Sequence, residues 1–151
     1  MPDPAFASRL ARTAAAAAAV CLCAAESPAA RAADLTVHVT GVRSERGVVR
    51  VALFDSERGW PGSGGQPVLR DAPVSDGRST VVFADLPPGA YAASVIHDEN
   101  HNGRLDTDWK GMPAEPYGFT RNVMGRFGPP SFAAAAVQMG AEPVAVEVRL
   151  R

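Results

Sequence analysis

The segment His97-Asp98-Glu99-Asn100-His101-Asn102-Gly103-Arg104-Leu105-Asp106-Thr107-Asp108 holds four carboxylates, two asparagine amides and two imidazoles within twelve positions. Side-chain oxygens at that density suit a hard cation, which gathers about six to eight oxygen ligands. Read as a calcium loop, Asp98, Asn100 and Asn102 take positions 1, 3 and 5, Gly103 the sharp turn at 6, the Arg104 carbonyl position 7 and Asp106 position 9. Position 12, where a bidentate Glu closes the shell, is Trp109, and a β-rich run rather than a helix leads in. The segment is not an EF-hand. The expected form is a calcium loop of a β-protein, closed by Asp106 or Asp108.

Two other readings stand beside it. Asn and Asp side chains bond their own backbone in Asx-turns, and Asn102-Gly103 is a favoured hairpin pair that needs no ion. A transition-metal site on His97 and His101, with Asp98 or Glu99, is the third reading, although zinc normally brings a further ligand at recognisable spacing. His38 reads as a solvated strand residue. Ser63, in Pro61-Gly62-Ser63-Gly64-Gly65, lacks the first glycine and the following helix of a nucleophile elbow, and no phosphate-binding glycine motif occurs. An acid/base pair could be drawn from Asp98, Glu99, Asp106, Asp108 and Glu115, but carboxylates without a defined cleft do not make one. No catalytic residue is assigned. A second candidate surface lies downstream, where Tyr117, Phe119, Arg121, Arg126 and Phe127 combine aromatic faces with guanidinium donors that suit sugars, peptides or anionic groups. The alternative is that these aromatics anchor their own loop.

Strands carry these residues. Leu35, Val37 and Val39 alternate with Thr36, His38 and Thr40, the period of a strand with one buried face. Val48 to Phe54 is β-branched and aromatic, too short for a helix, and reads as a central strand. Asp55 to Pro67 is a Gly/Pro loop. Val68 to Val74 is expected at an edge, because Pro67 and Pro73 cannot sit inside a ladder. Ser79 to Ala84 and Tyr91 to Ile96 follow, the latter running straight into the Asp/Asn segment. Val144 to Leu150 alternates strictly, and Phe132 to Met139 reads as its partner unless Ala133 to Ala136 turn helical. The fold class expected is all-β: a single antiparallel β-sandwich of about seven strands, Ig-like or prealbumin-like. From Asp106 to Ser131 no strand pattern appears, far beyond the usual connection of about 4 to 6 residues. Its aromatic content argues for an ordered loop packed on the sandwich.

The first 32 residues read differently. Arg9 and Arg12 precede an apolar run from Thr13 to Ala25, and Ala30-Arg31-Ala32 is a small-x-small cleavage site, together a secretory signal peptide. The run is about thirteen residues, short of the roughly 20 that cross a bilayer, and Cys21 and Cys23 lie within it. A domain from residue 33 to 151 would carry no thiol, twelve Lys plus Arg and fourteen Asp plus Glu, a formal charge of −2. Interspersed charge of that size suggests neither nucleic acid nor a membrane surface as partner. A soluble periplasmic or secreted domain follows.

Five blocks in order carry a resemblance: Gly47 to Phe54, Leu86-Pro87-Pro88-Gly89-Ala90-Tyr91, His97 to Asp106, Tyr117-Gly118-Phe119, and Arg126-Phe127-Gly128-Pro129-Pro130-Ser131-Phe132. Together they resemble a bacterial family of exported proteins catalogued as domain-of-unknown-function family 2141. Where this chain has Glu115-Pro116-Tyr117-Gly118-Phe119-Thr120-Arg121-Asn122, that family usually reads Glu-Gly-Tyr-Gly-Phe-Ser-Asn-Asn, so Pro116 and Arg121 depart from it. The resemblance implies export and an all-β domain, with no activity attached. The Leu-Pro-Pro-Gly-x-Tyr turn before an Asp/Asn loop also resembles repeat modules of bacterial surface adhesins. The function expected is a non-enzymatic binding or envelope-accessory module with an envelope or extracellular partner and calcium as its cofactor. Alternatives are a metal-dependent hydrolase using His97 and nearby carboxylates, or a structural subunit of an envelope assembly.

Overall fold

The computed structural model describes residues 31–61 and 64–151. The expected signal segment up to Ala30, with its two cysteines, and Gly62 and Ser63 of the Gly/Pro loop lie outside the described residues. Among the described residues eight strands form two sheets: β1 (Ala33–Thr40), β2 (Val48–Phe54), β3 (Val68–Pro73), β4 (Arg78–Leu86), β5 (Gly89–Asp98), β6 (Tyr117–Phe119), β7 (Val137–Met139) and β8 (Val144–Arg149), with a one-turn α-helix, α1 (Phe132–Ala135), before β7. The smaller sheet has the order β4-β1-β8; the larger runs β3-β2-β5-β6, with β7 also paired to β5. The architecture is an all-β sandwich. Among the described residues no helix is long and apolar enough to cross a membrane.

Alternation decides which side chains face inward. Leu35, Val37 and Val39 of β1 lie level with Phe83, Val81 and Ser79 of β4. Across the core, Val49, Val51 and Leu53 of β2 stand beside His97, Val95 and Ala93 of β5. These apolar residues are buried, and removing their surface from water, at roughly 25 cal/mol per Å², drives the sheets together. The Asp/Asn segment therefore begins at the rim of the core.

Three expectations change. β1 and β8 pair in parallel, so the sandwich is not purely antiparallel. A parallel pair needs a long crossover, and the whole second sheet lies between these two strands in the chain. Phe132 to Met139 does not partner β8. Ser131 caps α1 by accepting the Ala134 N–H, and the following β7 pairs with β5 instead. The stretch from Asp106 to Ser131 contains β6, whose three residues around Gly118 are too few to show a period. β6 also joins the sheets: Tyr117 and Arg151 exchange backbone N–H···O bonds of 3.1 and 3.0 Å.

The larger sheet is covered on both faces. Behind it, Phe54, Ala92, Phe119, Ala135 and Trp60 form a second buried cluster. The Trp60 ring lies 5.3 to 5.8 Å from Phe54, Phe119 and Phe132, and its Nε1–H donates to the Pro130 carbonyl at 2.6 Å. The long connection is thus ordered over the sandwich, as expected. Thr120 continues where β6 stops. Its buried hydroxyl accepts the Ala93 N–H (3.0 Å) and donates to the Ala135 carbonyl (2.7 Å).

Candidate functional site

β5 ends in His97 and Asp98, neither of which has any exposed surface. His97 points into the core rim. Its Nε2 meets the Arg46 carbonyl at 2.8 Å, and its Nδ1 accepts the Arg43 N–H at 3.4 Å, an arrangement that places the ring proton on Nε2. Gly47 makes this approach possible, because a Cβ there would fall 2.1 Å from the Asp98 carbonyl oxygen.

Asp98 faces the other side and organises the loop. One carboxylate oxygen accepts the Asn102 N–H (3.0 Å) and the other the Gly103 N–H (2.7 Å). Asn100 Oδ1 accepts the Asn102 N–H and Asn102 Oδ1 the Arg104 N–H, each at 3.0 Å. These are Asx-turns in succession. They leave both amide NH2 groups free to donate to the two oxygens of Asp106, at 2.6 and 2.7 Å. Asp98, Asn100, Asn102 and Asp106 are therefore brought together. Gly103, at φ +81°, closes the turn against the Arg50 guanidinium, which is itself held bidentately by Asp71 at 2.7 and 2.6 Å. That ion pair draws the Asp71 carboxyl below its ordinary range.

Glu115 fastens the loop at both ends. Its buried carboxylate accepts the Glu99 N–H (2.9 Å) and the Asp106 N–H (3.1 Å). Beside it, Glu99 takes hydrogen bonds from the Arg43 guanidinium and, at 2.8 Å, from the Ser44 hydroxyl. These donors pull its carboxyl down to about 2. Arg43 also donates to the Ala114 carbonyl at 3.1 Å. Together Arg43, Ser44, Glu99, Asn100, Asp106 and Glu115 line an open depression of about 390 Å³.

Asp108 works in a different turn, where its Oδ1 accepts the N–H groups of Lys110 and Met112 at 2.8 and 2.9 Å. That turn carries Trp109 almost fully exposed, with the Lys110 ammonium 4.7 Å from its ring centre. His101 is exposed and in the left-handed region, and Arg104 is exposed. Of the downstream residues, Phe119 is buried against Trp60 and Tyr117 is half-buried beside it. Arg121, Arg126 and Phe127 are exposed. Among the described residues no group of three or more His, Cys, Asp and Glu side chains is disposed to hold a metal. The loop's oxygen set rests on two asparagine amides besides its carboxylates.

Residues 37–147 match the bacterial family described as an uncharacterized protein conserved in bacteria, DUF2141. The chain belongs to this family. Neither a curated protein nor a solved structure gives a match. In this DUF2141 chain the sequence pointed to the loop but missed what holds it. Glu115 stood out only as one more carboxylate, and Arg43 and Ser44 gave no signal, because both reach the loop from more than fifty residues away.

Proposed function

We propose that this chain is an exported, non-enzymatic β-sandwich that serves as a binding or envelope-accessory module, and that its loop from Asp98 to Asp106 takes up calcium. The observation that carries the cation reading is the meeting of both asparagine amides on the Asp106 carboxylate. It joins Asn100, Asn102 and Asp106, positions 3, 5 and 9 of the pattern, side chain to side chain, while Asp98 at position 1 holds the Asn102 and Gly103 N–H groups of the same loop. Amide and carboxylate oxygens have two lone pairs or more, so an oxygen that accepts a backbone N–H can still face a cation. Turning the two amides by half a rotation exchanges NH2 for oxygen at the Asp106 side, at the cost of the bonds those oxygens take from the Asn102 and Arg104 N–H groups.

A hydrolase built on His97 would have to break both ring hydrogen bonds and open a residue that has no exposed surface. That cost favours the binding reading. The test is thermal melting of the purified domain in 1 mM calcium and in chelator. A dissociation constant near 10⁻⁴ M would add about 1.4 kcal/mol by mass action, separating the curves by several degrees. An Asp106→Ala variant should show no separation. Coincident curves for the wild-type domain would remove calcium from the proposal and leave the Asx-turn.

A further inference from the structure

If the N-terminal segment is a signal peptide, as the proposed export requires, its cleavage bond lies between Ala32 and Ala33. Arg31 and Ala32, on one side of that bond, are exposed and outside any strand. The other side is built into the fold. Ala33 is the first residue of β1, buried and paired with Leu86. The Asp34 carboxylate accepts the Asp85 N–H at 3.0 Å, and Leu35 has no exposed surface. From Leu35 onward β1 is flanked on both sides, by β4 and by β8.

We propose that the finished domain shields its own processing site, so that the N-terminal segment is removed only before β1 docks. A protease takes its substrate as extended backbone, with residues on both sides of the scissile bond lying in its cleft. Two residues separate this bond from Leu35, and fully extended they reach only about 7 Å. Fraying Ala33 and Asp34 therefore does not bring the bond clear of the sandwich; β1 itself must come out. It is the central strand of its sheet, and its removal takes most of the core with it. Cleavage of a folded precursor would then follow the population of the opened state. A chain that folds first keeps its N-terminal segment.

The experiment uses the full 151-residue chain with detergent-solubilised bacterial signal peptidase, once unfolded by dilution from denaturant directly into the assay and once after complete refolding. Products are read by intact mass. The unfolded chain should be cut after Ala32 and the folded chain at least about tenfold more slowly. A Gly-Ser spacer of about six residues inserted between Ala32 and Ala33, reaching roughly 20 Å, should restore cutting of the folded chain. Equal rates in the two states, or resistance that the spacer does not lift, would overturn the inference while leaving export standing. Absence of any cut after Ala32 in the unfolded chain would remove the export reading and the inference with it.

Discussion

At one end of β2 and β5, Trp60 sits on Phe54 and Phe119 with its indole N–H on the Pro130 carbonyl. At the other, where the same two strands pair Val48 with Asp98, the chain is held by carboxylates: Asp98 and Glu115 between them accept four backbone N–H groups. Both regions pin long irregular segments to the same sheet, by unlike means. Apolar burial is nondirectional, whereas each carboxylate bond fixes its N–H in place. The apolar end covers the sheet by burial, and the polar end sets the shape of an exposed loop bond by bond.

Each end can be disrupted separately. The largest effect is expected for Trp60→Ala, which removes the centre of the outer cluster and should lower stability by about 3–5 kcal/mol, read from urea unfolding. A loss under about 1 kcal/mol would mean the layer is not part of the cooperative fold. Asp98→Ala leaves the Gly103 N–H without its acceptor and the Asn102 N–H with Asn100 Oδ1 alone, and should cost about 1–3 kcal/mol. Amide exchange would localise the damage, with Gly103 losing protection, Asn102 less so, and the Trp60 indole N–H keeping it; global loss would contradict the separation of the two ends.

Acid should distinguish them without mutation. The Glu99 carboxyl is held at about 2 in the folded chain, against an ordinary value of 4.5. A depressed folded value means its stabilisation is complete above about pH 4.5 and is lost as pH falls towards 2. Melting temperature should decline through that window, and Glu99→Gln should flatten the decline, while Trp60→Ala should leave its slope unchanged. The smallest effect is a gain. Arg121 and Asn122 both lie at positive φ, 62° and 54°, which costs a side-chain-bearing residue about 1–2 kcal/mol. Asn122 is repaid by bonds to Arg149 N–H (2.7 Å) and Glu147 carbonyl (3.2 Å) across the edge of β8. For Arg121 the structure records no such bond, so Arg121→Gly should raise stability by about 1 kcal/mol; an unchanged melting point would show the position unstrained.

Strand positions were legible from alternation, and β2 began and ended where its β-branched run did. The edge placement of β3 followed from Pro67 and Pro73. β6 was not legible, since three residues show no period and its pairing to β5 depends on Gly118 fitting against the Val148 and Leu150 side chains. Within the site, Asp98, Asn100, Asn102 and Asp106 were legible as a group. Asp108 and Tyr117 looked equivalent to their neighbours by type, yet the fold uses one in the next turn and half-buries the other.

The sequence by itself determined what lies within a few residues of reach. Asx side chains bond backbone two to five positions on, and a pleated strand turns alternate residues to one face, so spacing alone carries the loop and the strand faces. Tertiary structure decided everything joined across the chain: the parallel seating of β8 on β1, the Thr120 bridge, and the Arg43, Ser44 and Glu115 clamps. Those contacts depend on how whole faces pack. Burial is a sum over many side chains with no local period, and its outcome appears only when the sheets have closed.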